Sequence, residues 1–174
     1  MGWTGLFGWT MLVLPVFFLL RPLPRPEGRP QPTVAQCLRA AALEWWAYEK
    51  VFSWQQPFAE FRDQDRCDAS HQGRRGVLLL HGFRCNRGLW RSWAKALDAQ
   101  GIPHVSLSLA PPFASIDAYA DAIEAAVLRL EQATGLPPVV VAHSMGGLAL
   151  RAWRRAVQAA PDRLHQVFTL GTPH

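Results

Sequence analysis

The sequence predicts an α/β fold in which a doubly wound, mainly parallel sheet follows an N-terminal membrane helix. Two observations indicate the sheet: short apolar runs recur along the second half of the chain, and segments of helical length separate them. A third observation indicates the membrane helix, because residues 3–20 contain no charged residue. The chain is 49% hydrophobic and 18% charged, which provides enough apolar surface for a core and excludes a disordered chain.

The uncharged run at the N-terminus is long enough to cross a membrane. As a helix it would extend about 27 Å, close to the roughly 30 Å of a bilayer core. We therefore predict a transmembrane or signal-anchor helix over residues 1–20, a Pro-rich linker over 21–32, and a globular part over 33–174. A cleaved signal peptide and a buried helix of a soluble protein are the two alternatives.

The charge pattern bears on localisation and on partners. Arginines at positions 21, 25 and 29 follow the uncharged run, and the positive-inside rule then favours a membrane-anchored protein whose globular part faces the cytoplasm. Because arginine is the main cation along the whole chain, a periplasmic globular part stays open. The net charge of +5 is scattered rather than clustered, so we expect no nucleic-acid partner.

Two helices are predicted at the start of the globular part, the first of them from its capping residue. Thr33 follows a proline and can cap a helix that runs to about Lys50. A shorter helix is predicted from Pro57 to Asp63. Residues 63–76 are polar and are expected to form a loop.

From residue 76 onward, apolar runs alternate with helical patterns. The first run is continuous, which is typical of a parallel strand buried on both faces. The runs predict strands over 76–80, 102–109, 138–142 and 166–170. The intervening segments predict helices over 89–100, 118–134 and 145–160. Gly101 and Gly135 end the first two helices, and an apolar stripe of Ile123, Val127 and Leu130 gives the second helix a buried face.

Ser144 lies where the third predicted strand meets its helix, in Ala142-His143-Ser144-Met145-Gly146-Gly147. A serine in such a sharp turn presents its hydroxyl above the sheet, and the strained backbone needs the small residues Ala142 and Gly146 two positions away. The N–H of Met145 at the start of the helix can stabilise a developing oxyanion. An ordinary serine N-cap before a Gly-rich helix start is the alternative.

A second motif, His81-Gly82-Phe83, follows the first predicted strand. It comes at the carboxyl end of the strand, which is where ligands bind in such sheets. An acyl-transfer site needs a second main-chain donor opposite the serine, and the N–H of Phe83 can supply it. The two motifs together predict Ser144 as the nucleophile and the N–H groups of Phe83 and Met145 as the oxyanion hole.

These motifs carry a family resemblance. Leu-Leu-Leu-His-Gly-Phe, Val-Val-Ala-His-Ser-Met-Gly-Gly-Leu and Thr-Leu-Gly-Thr-Pro-His resemble the α/β-hydrolase fold, and most closely the bacterial lipases and esterases of the triacylglycerol-lipase type, over about residues 76–174. The resemblance implies the same nucleophile and oxyanion donors. It also implies residues that shape the oxyanion loop and brace the serine turn, which are His81, Gly82, His143 and Gly146.

The acid and base that would activate the serine are missing from the sequence. In this family the chain order is Ser, then acid, then His. After Ser144 the only acidic residue is Asp162 and the only histidines are His165 and His174. Asp162 and His165 fall at the amino end of the last predicted strand, and the resemblance places His174 where the His is usually not the base. We therefore expect a C-terminally truncated hydrolase with part of the sheet, whose triad Asp and His are not in this chain.

Three functions are compatible with these observations. The first is a serine carboxylic-ester hydrolase, lipase- or esterase-like, acting through an acyl-enzyme on Ser144 with an ester or lipid-like small molecule as substrate. The second is a non-catalytic, degenerate hydrolase-fold module that binds a partner at the membrane, and the third is an acyltransferase on the same fold. No cluster of His, Cys and Asp has zinc-like spacing, and acyl transfer needs no cofactor, so none is expected.

Overall fold

The computed structural model describes residues 31–158 and 161–173, together with Leu19. The chain divides into two compact units, Met1–Trp54 and Gln55–His174. In the described part of the chain, no helix is both long and apolar enough to cross a membrane. The predicted membrane helix and Pro-rich linker lie almost wholly outside the described residues, and the membrane helix therefore stays a prediction.

The described part of the first unit is helical. Helix α1, Val34–Tyr48, starts at a reciprocal cap in which the Thr33 hydroxyl accepts the Gln36 N–H at 3.2 Å and the Gln36 side chain accepts the Thr33 N–H at 2.8 Å. This confirms the predicted cap. The helix continues as a π-helical segment, Glu49–Gln55, in which Phe52 stacks on Tyr48 with ring centroids 4.7 Å apart.

The second unit contains a parallel four-stranded sheet with helices between the strands. Its elements are helix α2, Gln56–Ala59; strand β1, Val77–Leu80; helix α3, Arg91–Ala99; strand β2, His104–Leu107; helix α4, Ala120–Thr134; strand β3, Val139–His143; helix α5, Met145–Ala156; and strand β4, Gln166–Leu170. The strand order is β2-β1-β3-β4, and all three pairings are parallel. The predicted α/β class with a parallel sheet is confirmed.

Several helices and strands are shorter than the sequence predicted. Strand β2 starts at His104 rather than at 102, because the Ile102 N–H donates to Leu97 O to close helix α3 and Pro103 has no N–H. Helix α4 starts at Ala120 rather than at 118, since a 3₁₀ turn over Ile116–Tyr119 precedes it. Helix α5 ends at Ala156 rather than at 160. Helix α2 is Gln56–Ala59, whereas the prediction ran from Pro57 to Asp63.

The core lies on both faces of the central strands. Leu78 and Leu80 pack on one face with the apolar stripe of α4 and with Trp153 of α5. Leu79 points to the other face and packs with Trp90 and Val141. All three leucines are fully buried, which explains why β1 has a continuous apolar sequence rather than an alternating one.

The two edge strands differ in how they are covered. The outer edge of β2 is met by the predicted loop: Arg66 forms an antiparallel bridge with His104, and the Asp65 carboxylate accepts the Ser106 N–H at 3.0 Å. These contacts satisfy polar groups that an edge strand otherwise leaves unpaired. Strand β4 lies at the other edge, and all five of its residues are exposed, including Val167 and Phe168.

Candidate active site

All four strands lead to the same edge of the sheet, because they are parallel and in register. Leu80, Leu107, Ala142 and Thr169 align near their carboxyl ends. The residues that follow these strands, among them His81, Ser144 and Thr172, therefore gather at this edge.

Ser144 adopts a strained backbone conformation between β3 and α5. Its φ of +50° and ψ of −122° lie in a region that residues with a side chain rarely adopt. Both of its main-chain polar groups are held. The Ser144 N–H donates to Leu170 O at 2.9 Å, and the Ser144 carbonyl oxygen accepts the Gly147 N–H at 3.1 Å and the Thr172 hydroxyl at 3.0 Å. The end of β4 thus fixes the turn that carries the serine.

Two glycines allow the end of β1 to approach this turn closely. A Cβ on Gly146 would lie 2.6 Å from His81 O and 2.8 Å from Leu80 O. A Cβ on Gly82 would lie 2.9 Å from the Cβ of Ser144. Gly146, one of the two small neighbours that the sequence pattern required, therefore lies against the end of β1, where a side chain would overlap backbone atoms.

The two proposed oxyanion donors, Phe83 and Met145, belong to the two segments that meet at Ser144. Met145 is the first residue of α5, so its N–H belongs to the turn that has no intrahelical acceptor. Phe83 follows directly after Gly82, the residue that approaches the Ser144 Cβ. In the part of the chain that the structure describes, no carbonyl or side chain accepts the Phe83 N–H. Among the described residues, neither N–H group therefore has an intramolecular acceptor.

His81 is a buried cross-link between two loops. Its Nε2 accepts the Leu109 N–H at 2.8 Å, so the ring proton lies on Nδ1, which donates to Gly82 O at 2.8 Å. Burial lowers the pKa of His81, which favours this neutral form. With both nitrogens engaged, His81 holds the loop after β1 to the loop after β2 and has no nitrogen free for proton transfer.

His143 packs behind the serine turn. Its Nδ1 would lie 3.0 Å from a Cβ on Gly82, and within the described ranges this buried nitrogen has no hydrogen-bond partner. Burial lowers the pKa of His143 as well. The ring is therefore a neutral packing element of the turn under ordinary conditions.

An aromatic pair lies at the mouth of the site. Phe83 and Phe113 meet edge to face with ring centroids 5.5 Å apart, and their side chains are 52% and 74% exposed. Phe113 has a φ of +72° in the loop after β2, and the Tyr119 hydroxyl holds that loop by donating to Pro111 O at 2.9 Å. Phe113 lies within residues 110–114, a segment whose position after the second strand suggests that it lines the mouth of the site, but no sequence motif singles out this residue.

The remaining candidates for acid and base lie at the opposite edge. The His165 N–H donates to Pro138 O at 2.9 Å, whereas Ser144 pairs with Leu170 at the other end of the same strand pair. The five residues of β4 separate these ends by about 16 Å. Asp162 lies in the turn just before β4, and His174 lies outside the described residues. Neither Asp162 nor His165 is brought to the serine.

No charged side chain among the described residues bonds to Ser144, the candidate nucleophile. Over residues 31–158 and 161–173, the hydrogen bonds of Ser144 are all made by its main chain. The same residues include no group of three or more His, Cys, Asp or Glu side chains that could hold a metal ion. The site as described therefore consists of the turn at Ser144 and the loop after β1.

Thr172 is a site residue to which the sequence assigned no role. It lies in Gly-Thr-Pro-His, a segment that the motif search used only for its family resemblance and for its histidine. The one feature of the sequence related to Thr172 is the glycine at position 147. In the structure, a Cβ on Gly147 would overlap the Thr172 side chain.

Comparisons with known proteins concern the family and the fold of the chain. Residues 77–172 match the family model described as the alpha/beta hydrolase family. Among solved structures, the lipase BlEst2 of Bacillus licheniformis in its propeptide form is similar with a TM-score of 0.53 and 20% sequence identity, over 64% of this chain and 25% of that chain. The mature form of the same lipase gives a TM-score of 0.50 and 20% identity, over 64% of this chain and 45% of that chain.

The matched region spans less than half the length of either of these two structures. At 20% identity the likeness concerns the fold. No curated protein matches the chain.

Proposed function

Because the chain belongs to the alpha/beta hydrolase family, we propose that the protein is a serine carboxylic-ester hydrolase that acts through an acyl-enzyme on Ser144. The observation that carries this proposal is the strained turn at Ser144, beside which the N–H groups of Met145 and Phe83 have no acceptor among the described residues. Strain of this kind costs about 1–3 kcal/mol and persists where the surrounding structure enforces it, commonly at functional sites.

The proposed reaction has two steps. The Ser144 Oγ attacks the ester carbonyl carbon and gives its proton to a base, and the carbonyl oxygen becomes an oxyanion held by the N–H groups of Phe83 and Met145. The alcohol then leaves with a proton. Water next attacks the acyl-serine, and the acid leaves. We propose that the base is a histidine outside the described residues, since no described side chain reaches the serine hydroxyl.

The proposed substrate is an ester or lipid-like small molecule. The exposed ring pair of Phe83 and Phe113 at the mouth supports an apolar acyl or alcohol group, because such rings bury apolar surface when a substrate covers them.

A direct test compares ester turnover in the full-length protein and in its Ser144→Ala variant. We expect hydrolysis of a short p-nitrophenyl ester, with turnover lowered by at least about a thousandfold in the variant. Ser70→Ala serves as the matched control, because Ser70 is exposed and lies in a turn away from the site. Equal turnover in wild type and Ser144→Ala would refute the assignment.

A non-catalytic binding module is the second candidate function. It is favoured by the observation that Ser144 makes only main-chain hydrogen bonds among the described residues. This candidate predicts a folded protein in which a fluorophosphonate does not label Ser144. An acyltransferase would be labelled but would transfer the acyl group to an added alcohol, which product analysis separates from hydrolysis.

We also propose that residues 1–20 anchor the protein in a membrane with the globular part on the cytoplasmic side. The support is the uncharged run and the three arginines that follow it. The full-length protein should stay in the membrane fraction after alkaline carbonate washing, and Leu14→Arg should release part of it. Protease accessibility in spheroplasts then distinguishes a cytoplasmic from a periplasmic globular part.

A further inference from the structure

The peptide group between Ser144 and Met145 joins the Met145 N–H to the Ser144 carbonyl oxygen. Its N–H is the proposed oxyanion donor, and its carbonyl oxygen points the opposite way because the peptide group is planar and trans. The carbonyl oxygen accepts two hydrogen bonds, from the Thr172 hydroxyl at 3.0 Å and from the Gly147 N–H at 3.1 Å. Whatever fixes this oxygen therefore also fixes the direction of the Met145 N–H.

The chain brings Thr172 to this position by a sharp return after β4. Gly171 has a φ of +60°, a conformation that favours glycine, and it turns the chain back toward the serine turn. Thr172 is buried there, against the space left by the missing side chain of Gly147. The next residue is held as well, because Arg151 of α5 donates to Pro173 O at 3.3 Å.

We infer that Thr172 is a positioning residue for the proposed reaction: its hydroxyl orients and polarises the Met145 N–H through the carbonyl oxygen of the same peptide group. This inference rests on the proposed function of Ser144. A hydrogen bond to the carbonyl oxygen of an amide strengthens the N–H of that amide as a donor, since bonds in a chain polarise one another. The hydroxyl thereby acts on the oxyanion without touching the substrate.

The test compares Thr172→Val with Thr172→Ser in the full-length protein. Valine keeps most of the side-chain volume and removes the donor, while the Gly147 N–H still satisfies the carbonyl oxygen. We expect kcat for ester hydrolysis to fall roughly tenfold in Thr172→Val with KM unchanged, because a donor is weakened rather than removed. Thr172→Ser keeps the hydroxyl and should restore most of kcat.

Thr134→Val is the matched control. Thr134 is also buried, and its hydroxyl donates to Leu130 O at 2.7 Å, near the amino end of β3 rather than at the site. This variant should lose stability without a loss of kcat. A purely structural role of Thr172 predicts that the two valine variants behave alike.

A second readout does not depend on turnover. The amide resonance of Met145 in the ligand-free protein should shift in Thr172→Val and return in Thr172→Ser. If Ser144-dependent turnover is present, and Thr172→Val keeps both the wild-type kcat and the wild-type Met145 resonance, the inference is wrong while the proposed function stands. If wild type shows no such turnover, the proposed function fails and the positioning role in the reaction is overturned with it, whatever the Met145 resonance shows.

A further pair covers the case in which Thr172→Val does not fold. Thr172→Ser and Thr172→Cys have side chains of similar length, but a thiol is a weak donor. The inference predicts a lower kcat for the cysteine variant, and equal kcat values would overturn it.

Discussion

Replacing Gly146 with alanine tests whether the close approach of α5 to β1 sets the position of the nucleophile. The added Cβ would lie 2.6 Å from His81 O, 2.8 Å from Leu80 O and 3.1 Å from Leu80 C. All three are backbone atoms, so no side-chain rotation relieves the overlap. Helix α5 must move away from the sheet, and its first turn carries the Met145 N–H and follows Ser144 directly.

The expected magnitude comes from two opposing effects. In a helix, alanine is more stable than glycine by about 0.5–1 kcal/mol. A carbon–oxygen contact is ordinarily about 3.3 Å or longer, so the two carbonyl oxygens must retreat by roughly 0.5–0.7 Å. Overpacking a well-packed site costs about 1–3 kcal/mol. Because the neighbours here are rigid backbone atoms, we expect a cost of about 3 kcal/mol at Gly146. The net prediction is a loss of about 2 kcal/mol in the free energy of unfolding.

Urea unfolding at pH 7, followed by far-UV circular dichroism, measures this change. Ala125→Gly, at an exposed position in the middle of α4, calibrates the helix-propensity effect in the same protein. The sign is decisive, because propensity alone predicts that Gly146→Ala stabilises the fold. A variant as stable as the wild type, or more stable, would refute the packing argument.

Three further predictions concern the same site. Ser144→Gly should be more stable to urea than Ser144→Ala by about 1–2 kcal/mol, since only glycine adopts a φ of +50° without strain, and equal stabilities would contradict that strain. Burial lowers the pKa of His81 and His143 below the ordinary value of 6.5, so at pH values below about 6.5 the unfolded chain takes up protons that the folded protein does not. The free energy of unfolding should therefore fall between pH 7.5 and 5.5, and an equally large fall in His81→Gln would count against the role of His81. Gly82→Ala, whose Cβ would lie 2.9 Å from the Ser144 Cβ, should lower ester turnover about a hundredfold by displacing the nucleophile, and unchanged turnover would show that the contact relaxes freely.

Local patterns predicted most of the fold. Apolar runs between segments of helical length identified all four strands, and the runs of β1 and β3 are continuous because a parallel sheet covered on both faces buries most side chains of its central strands. The cap at Thr33 and the helix end at Gly135 were also predictable, since each depends on a few adjacent residues. Strand and helix ends were less accurate, because contacts such as that between Ile102 and Leu97 decide them.

Contacts between distant segments were not predictable from the sequence. The carboxylate of Asp65 reaches the edge of β2 at Ser106 from a segment that has only polar composition as a signal. Thr172 reaches the Ser144 carbonyl oxygen across 28 positions of the chain. Both contacts depend on where the sheet places the segments, and no periodicity or motif specifies them.

Covalent labelling of Ser144 tests the central claim most directly. The full-length protein is treated with a fluorophosphonate, and the modified peptide is identified by mass spectrometry beside the Ser144→Ala variant. The account predicts one adduct, on Ser144, which forms more slowly when a short ester competes and is absent from the variant. A folded protein that remains unlabelled at Ser144, or that is labelled equally well in Ser144→Ala, would contradict the assignment of Ser144 as the nucleophile.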